Sequence, residues 1–252
     1  MSLSWIDRLH THRHLDLYIG DAQLQWADHQ TRQPPQLSAQ ALANLQLSSV
    51  LHAIAHGLEK YEVNNRVRLN VVLGLNWCRH LMLPWDARLV NTGLAAAMAK
   101  AIFERRFAEP VQGYQLVLAQ ANYLKPQVAT FVPIELLEGL KRLIDAKGMK
   151  LGRVEPLLAA VWNRLPALPG DAGTVVVLEN SRALEVRVQT GNPESIGVRP
   201  CANVNDLLHT ANAASTYVFA PGRAVPAPLT ELTVEVGESP DLFGYVLCAG
   251  AH

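Results

Sequence analysis

Short strand-like segments alternate with longer helical segments along this chain, and that alternation is the feature that most restricts its fold. The first two strand segments, 14–19 and 22–27, lie on either side of Gly20-Asp21. Glycine adopts the backbone angles of a tight turn at little cost. Glutamines alternate with apolar residues in the second segment, as is typical of a half-buried strand. These residues predict a β-hairpin.

A helix and a second hairpin are expected next. Residues 31–37 contain two adjacent prolines and are interpreted as a linker. Ser38 is a suitable N-cap for a helix that runs to about Tyr61. Residues 66–73 and 77–83 are both strand-like and close in sequence, so we expect them to pair with each other.

The same alternation continues to about residue 190 and weakens beyond it. Prolines and glycines at 165–173 predict a boundary, which divides the chain into lobes 1–165 and 166–252. Strand pairs interleaved with helices indicate a layered α/β fold with a mixed sheet. The later predicted elements are helix 92–107, strands 114–119 and 128–132, helix 133–147, strand 150–154, helix 156–164, a hairpin of 174–178 and 184–188, helix 204–214, and short strands near 217–219, 232–236 and 245–248.

Composition excludes several classes of protein. Hydrophobic residues make up 49% of the 252 residues, which is ample for a core and excludes a disordered chain. The 22 basic and 22 acidic residues balance, so the basic footprint of a nucleic-acid binder or of a membrane-surface patch is absent, and self-association is permitted. No apolar run approaches the ~18 residues of a membrane span. Three scattered cysteines and an N-terminus without an apolar leader segment favour a reducing cytoplasm.

One candidate metal site lies near the N-terminus. His10, His12, His14 and Asp16 alternate along the chain, a spacing that some metal-dependent hydrolases use for their ligands. No convincing apolar strand precedes His10, and only His80 and His209 lie well downstream as further ligands. A polar segment that contains histidines is the simpler interpretation, and a hydrolase built on His10 and His12 is kept as an alternative.

A candidate phosphate-binding turn lies at the predicted boundary. Asp171-Ala-Gly173-Thr174 matches the Asp-x-Gly-Thr turn with which actin-like ATPases hold phosphate. In those enzymes the aspartate ends an apolar strand, whereas here prolines precede it and the strand follows. A boundary loop is therefore the preferred interpretation. Walker, dinucleotide-binding and serine-hydrolase glycine motifs are absent.

Two segments of the chain carry a resemblance to a known family. Residues 69–85, which end in Leu83-Pro-Trp85, resemble a segment of PilM-like and GspL-like proteins, and residues 154–164, with Glu-Pro near the start and Asn-Arg at the end, resemble a second one. These are the actin-like (ribonuclease H-like) cytoplasmic components of type IV pilus and type II secretion assembly platforms. The resemblance covers about residues 14–190. It implies two lobes of mixed sheets with flanking helices, the second lobe being abbreviated.

The chain departs from that family at both turns that would hold phosphate. Gly74 stands where the family has serine, and bulky residues occupy 17–19 in the first hairpin. The turn of the late hairpin, 179–182, has no glycine to let a phosphate approach the backbone. We therefore expect no bound cofactor and no ATPase activity.

The resemblance then implies a non-catalytic scaffold at the cytoplasmic side of the inner membrane. Its partner would be the cytoplasmic tail of a PilN-like or GspL-like membrane protein, bound by strand addition or in an apolar groove. The alternative within the same fold is an ATP-binding protein. Its nucleotide site would comprise Asp16, Gly20, Asp21, Asp171, Gly173 and Thr174.

Overall fold

The computed structural model describes residues 13–29, 36–120, 124–164, 172–209, 215–220 and 223–232. Within these ranges, strands form two five-stranded sheets and one three-stranded sheet, and α-helices pack on them, which confirms the mixed α/β prediction. The strands are β1 (His14–Ile19), β2 (Gln23–His29), β3 (Gln36–Ala41), β4 (Arg68–Leu73), β5 (Arg79–Leu83), β6 (Tyr114–Leu118), β7 (Gln127–Pro133), β8 (Lys150–Pro156), β9 (Ala172–Glu179), β10 (Arg182–Gln189), β11 (Asn192–Pro200), β12 (Thr216–Phe219) and β13 (Thr230–Glu231). The helices are α1 (Leu47–Leu58), α2 (Thr92–Phe107), α3 (Ile134–Ala146) and α4 (Leu157–Trp162).

The first sheet has the order β3-β2-β1-β4-β8. β1 and β2 form the predicted hairpin, and β4 and β8 run parallel to β1. One face of this sheet carries buried apolar residues such as Leu17 and Val71, which share a core with Ile54 of α1 and Leu140 of α3. Alternation of apolar residues along the strands thus places two helices on one side of the sheet. No described helix is both long and apolar enough to cross a membrane.

Two further sheets pack against the helices α2 and α4. The three-stranded sheet has the order β5-β7-β6 and is covered by α2, where the rings of Phe103 and Phe131 lie 4.4 Å apart. The second five-stranded sheet has the order β11-β10-β9-β12-β13 and contains the predicted hairpin β9–β10. Val161 of α4 packs in one cluster with Val72 of β4 and Val177 of β9. α4 therefore joins the two five-stranded sheets.

Two sequence predictions in the first sheet are wrong. The segment after the linker does not begin a helix at Ser38, because residues 36–41 form β3 against β2 and α1 starts only at Leu47. Pairing with a neighbouring strand overrides the helical preference of this alanine- and glutamine-rich segment.

The predicted hairpin of residues 66–73 and 77–83 is the second error. β4 lies between β1 and β8 and is parallel to both, while β5 pairs with β7 in another sheet. Apolar residues point to both faces of β4 because both faces are covered. The sequence of such a strand does not show which strands are its neighbours.

The C-terminal part also differs from expectation. β11, which follows the weak signal beyond residue 190, was not predicted. The predicted helix 204–214 is a 3₁₀ helix, Val204–His209, in its described part. The predicted strand at 217–219 corresponds to β12. β13 ends before the predicted strand at 232–236, of which only Leu232 is described, and the predicted strand at 245–248 lies outside the described residues.

Gly57 of α1 provides a test of the packing between this helix and the first sheet. A Cβ atom at this position would lie 2.5 Å from Cζ2 of Trp26. Gly57→Ala should lower the free energy of unfolding by about 1–2 kcal/mol, because overlap in a filled core outweighs the gain in helix propensity. Urea unfolding followed by circular dichroism measures this change.

Gly113→Ala is the matched control, because a Cβ atom there has no neighbour within 4 Å. We expect it to change the free energy of unfolding by no more than about 0.5 kcal/mol. Equal effects of the two substitutions would contradict the contact between α1 and Trp26.

Candidate functional site

Two tight turns from the two five-stranded sheets meet at one buried carboxyl group. The turn between β1 and β2 contains Gly20, whose N–H donates to the carbonyl of Gln23 at 3.0 Å. The turn between β9 and β10 follows Glu179, which is only 6% exposed. Asn180 continues that turn with a φ of 48°, a left-handed conformation that asparagine tolerates better than most residues. A Cβ atom on Gly20 would lie 3.4 Å from Oε1 of Glu179, so the two turns are in contact.

The Glu179 carboxyl group connects three segments of the chain, and we name this arrangement the Glu179 bridge. The hydroxyl of Tyr18, on β1, donates to Oε1. The backbone N–H of Leu75, just after β4, donates to Oε2 at 2.5 Å. Since a buried carboxyl group is tolerated only with such donors, the bridge fixes β9 against the ends of β1 and β4.

Gly74 is required by this bridge. A Cβ atom at position 74 would overlap the Glu179 carboxyl group. The glycine noticed in the sequence as a departure from the PilM-like pattern therefore has a steric reason: a serine there would collide with Glu179.

Burial dominates the electrostatics of the bridge. It raises the pKa of Glu179 to about 7, although the donors Tyr18 and Leu75 oppose that shift, and nearby Asp21 raises the pKa further. Burial and the Glu179 charge raise the pKa of Tyr18 well above its usual value. Burial also raises the pKa of Asp21. Arg182 opposes the rise in pKa of both Glu179 and Asp21. The space between the two turns is nevertheless occupied by the Glu179 carboxyl group, which is unfavourable for a phosphate group.

Asp16 lies away from the two turns. It is in the middle of β1, fully buried, and accepts a hydrogen bond from Nδ2 of Asn70 at 2.8 Å. Its other oxygen is 3.1 Å from Nε2 of His29. On the same face of β1, Tyr18 lies between Asp16 and Glu179, since residues two apart share a face. Asp16 therefore has protein partners and does not face the turn that holds Gly20 and Asp21.

Gly173 and Thr174 lie at the start of β9, at the end opposite Glu179. Five residues of extended chain separate Thr174 from Glu179, a distance of about 16 Å. Gly173 packs against Tyr217, because a Cβ atom there would lie 2.9 Å from the Tyr217 ring. Asp171 lies outside the described residues. The structure therefore does not bring Gly173 and Thr174 together with Gly20 and Asp21.

The candidate metal ligands His10 and His12 also lie outside the described residues. Among the residues that are described, no group of three or more histidine, cysteine, aspartate or glutamate side chains could hold a metal ion. His80 is buried against Thr130 at 3.0 Å, and burial lowers its pKa to about 4.

A groove of about 410 Å³ lies where three parts of the fold meet, and we name it the β7–α4 groove. Its walls come from β6 and β7, from α4, and from the β10–β11 hairpin. β6 is an edge strand beside it, and Val117 of β6 is 53% exposed. The lining residues are Val117, Ala119, Gln120, Lys125, Pro126, Gln127, Val128, Thr130, Pro156, Leu158, Ala159, Trp162, Asn163, Val186, Gly191, Asn192, Pro193 and Ile196.

The chemistry of this groove suits an extended peptide with apolar side chains. Most of its lining is apolar, amide and hydroxyl groups such as Thr130 and Asn163 provide hydrogen bonds, and Lys125 is the one charged residue in the lining. Pockets of this size and mixed character are typical of binding sites. An extended partner could also pair its backbone with the free edge of β6.

Neither feature was predicted from the sequence. The signal for the Glu179 bridge was an acidic residue directly after the apolar run 175–178, at a turn without glycine. The groove had no local signal, because its walls come from segments far apart in the chain.

Solved structures with the same architecture include a component of a secretion system and a chain of a pilus biogenesis complex. The cytoplasmic domain of EpsL, an inner membrane component of the type II secretion system of Vibrio cholerae, matches with a TM-score of 0.55 and 12% identity over 95% of this chain and 94% of that one. A chain of the PilM–PilN type IV pilus biogenesis complex matches with a TM-score of 0.51 and 14% identity over 77% of this chain and 63% of that one.

A protein of unknown function with an actin-like ATPase fold, from Bacteroides thetaiotaomicron, matches with a TM-score of 0.54 and 8% identity over 89% of this chain and 86% of that one. No protein-family model and no curated protein matches the sequence. At these identities the likeness establishes the fold: the chain has the actin-like fold, as the sequence resemblance implied.

The raised pKa of Glu179 makes a prediction about pH. A carboxyl group whose pKa is higher in the folded state stabilises the fold at pH values below its unfolded pKa, and this contribution is lost as the pH rises through the folded value of about 7. Relative to Glu179→Gln, which does not titrate, the wild type should lose roughly 2–3 kcal/mol of stability between about pH 5 and pH 8. Urea unfolding at the two pH values measures both proteins.

Glu194→Gln is the control, because it removes an exposed carboxylate from the same sheet. We expect it to follow the wild type at both pH values. If Glu179→Gln also follows the wild type, the carboxyl group is not buried between the turns.

Proposed function

We propose that this protein is a non-catalytic scaffold of a type IV pilus-like or type II secretion-like assembly platform. It binds the cytoplasmic tail of a PilN-like or GspL-like membrane protein and so resides in the cytoplasm, at the inner membrane when its partner is bound. The proposed lobes are 1–165 and an abbreviated second lobe, 166–252.

The Glu179 bridge is the observation that carries this proposal. In the alternative function, a nucleotide would place negatively charged phosphates between the β1–β2 and β9–β10 turns. That space holds the Glu179 carboxyl group beside Asp21, and the backbone N–H of Leu75 is already engaged. Phosphate binding by backbone amides needs free N–H groups and room for close approach. Here the Leu75 N–H is not free and the Glu179 carboxyl group occupies the room that a phosphate would need. A role in binding another chain is therefore favoured over nucleotide binding.

The fold and the β7–α4 groove support the nature of the partner. EpsL is described as an inner membrane component of a secretion system, and PilM forms a complex with PilN. In this chain the groove adjoins the free edge of β6 and is mostly apolar. We infer that the tail lies extended along β6 and inserts apolar side chains between β7 and α4.

Val117→Lys should weaken tail binding at least about tenfold, because it places a charge in the groove near Lys125 and removes an apolar contact. The probe is a synthetic peptide with the cytoplasmic tail sequence of the membrane protein encoded beside this gene. Fluorescence anisotropy of the labelled peptide measures the dissociation constant.

Val90→Lys is the matched control, since Val90 is an exposed valine outside the groove. Its dissociation constant should stay within about twofold of the wild type. Failure of every neighbouring tail to bind the wild type, or equal weakening by both substitutions, would contradict the proposal.

Magnesium-ATP should give no heat of binding in isothermal titration calorimetry at neutral pH. The physical reason is the Glu179 carboxyl group, which fills the space between the two turns and repels phosphate. Saturable binding with release of phosphate would instead establish the ATP-binding alternative. The same titration with Glu179→Gln separates steric filling from charge, because glutamine keeps the volume and removes the negative charge.

A further inference from the structure

β3, at the outer edge of the first sheet, is exposed and paired on one side only. Its inner side pairs with β2, and no strand lies beyond it among the described residues. Five of its six residues are exposed, and Leu37 is 49% exposed. An edge strand of this kind offers unpaired backbone groups to another strand.

The segment of the chain that contains β3 carries no charge. Residues 33–58 contain no aspartate, glutamate, lysine or arginine, although these residues make up 17% of the chain. Natural edge strands are usually protected by charges or prolines. Lys150 and Arg153 protect β8, and β11 carries Glu194 and Arg199. β3 has no such protection within its length.

The hydrogen-bond pattern identifies which backbone groups of β3 are free. The N–H of Leu42 donates to the carbonyl of Ala22 at 2.8 Å, just beyond the paired strands. Inward and outward residues alternate along an antiparallel strand, so 36, 38 and 40 also point toward β2. The N–H and C=O groups of Leu37, Ala39 and Ala41 therefore point outward.

We propose that β3 pairs with β3 of a second copy of this chain, antiparallel and about a two-fold axis that passes between the two Ala39 residues. In this register Ala39 faces its own counterpart, and Leu37 faces Ala41 of the other copy. Every outward N–H and C=O group of residues 37, 39 and 41 then has a hydrogen-bond partner. The first sheet of one copy and the first sheet of the other together form one sheet of ten strands. The arrangement is isologous, as in most homodimers.

Charge and shape favour a second copy over another partner. An uncharged strand meets its own copy without repulsion, while a charged partner strand gains nothing from it. β3 and α1 also border a shallow groove of about 460 Å³, lined by residues such as Ala41, Asn44 and Ser48. Stable interfaces bury about 1,200–2,000 Å² in total, more than one strand pair supplies, so in the proposed dimer the residues of this groove are also in contact with the second copy.

The register allows a test with matched charges at the same two positions. Leu37→Lys with Ala41→Lys places like charges opposite each other across the dimer and should convert it to monomer. Leu37→Lys with Ala41→Glu places opposite charges there and should remain dimeric. The two positions are about 13 Å apart within one strand, so their effects within one chain are small. Sedimentation velocity over a dilution series distinguishes the 27.6 kDa chain from twice that mass.

Ala39→Pro is a second, independent variant. Proline removes an outward N–H that the first sheet does not use, so the fold should persist while pairing is blocked. Circular dichroism and urea unfolding check the fold of all variants. A monomeric wild type, identical behaviour of the two double variants, or a dimeric Ala39→Pro protein would each overturn the proposal. Tail binding at the β7–α4 groove is measured separately, so failure of one proposal leaves the other intact.

Discussion

The Glu179 carboxyl group is the interaction on which the arrangement of the two five-stranded sheets depends. It is buried, and it accepts hydrogen bonds from the Tyr18 hydroxyl and the Leu75 backbone. A buried carboxyl group without donors would be strongly destabilising, so the three segments that supply and surround it must stay together. The small residues beside it, Gly20 and Gly74, follow from the same constraint, since side chains there would meet Glu179 or Tyr18.

This bridge changes what the actin-like fold can do in this chain. Two turns from opposite sheets approach each other, which is the geometry that could enclose a ligand, but here protein groups fill the space between them. The Glu179 bridge therefore holds the two sheets together and leaves no open site between the two turns. Concave surface remains at the β7–α4 groove, which is formed by the same α4 that packs between the sheets.

Local structure could be predicted from the sequence where it depends on neighbours in the chain. The hairpins β1–β2 and β9–β10 and the helices α2 and α3 follow from turn residues and from apolar spacing. β4 could not be paired correctly, because its neighbours β1 and β8 come from segments far away and both of its faces are buried. β3 was mistaken for helix because its pairing with β2, and not its composition, decides its conformation.

The candidate site was predictable in part for the same reason. Gly74 and the glycine-free turn after Glu179 were visible as departures from the family pattern, and both belong to the Glu179 bridge. The hydrogen bond that connects these two positions could not be predicted, because Glu179 and the Leu75 N–H that donates to its carboxyl group are 104 residues apart in the sequence. Asp16 was a candidate ligand for the same reason. Its partners His29 and Asn70 are distant in the sequence and come close only because β1 lies between β2 and β4.

The two proposed contact surfaces belong to different parts of the fold, since of the first sheet only Pro156, at the end of β8, lines the β7–α4 groove. β3 is separated from β8, which leads into α4, by four strand spacings, or about 19 Å. A second copy at β3 therefore leaves the β7–α4 groove open. A dimer joined through β3 would carry two grooves, one in each copy, and could hold two membrane-anchored tails at once. Binding of the first tail then raises the effective concentration of the second site, so even a weak contact for each tail keeps the protein at the membrane.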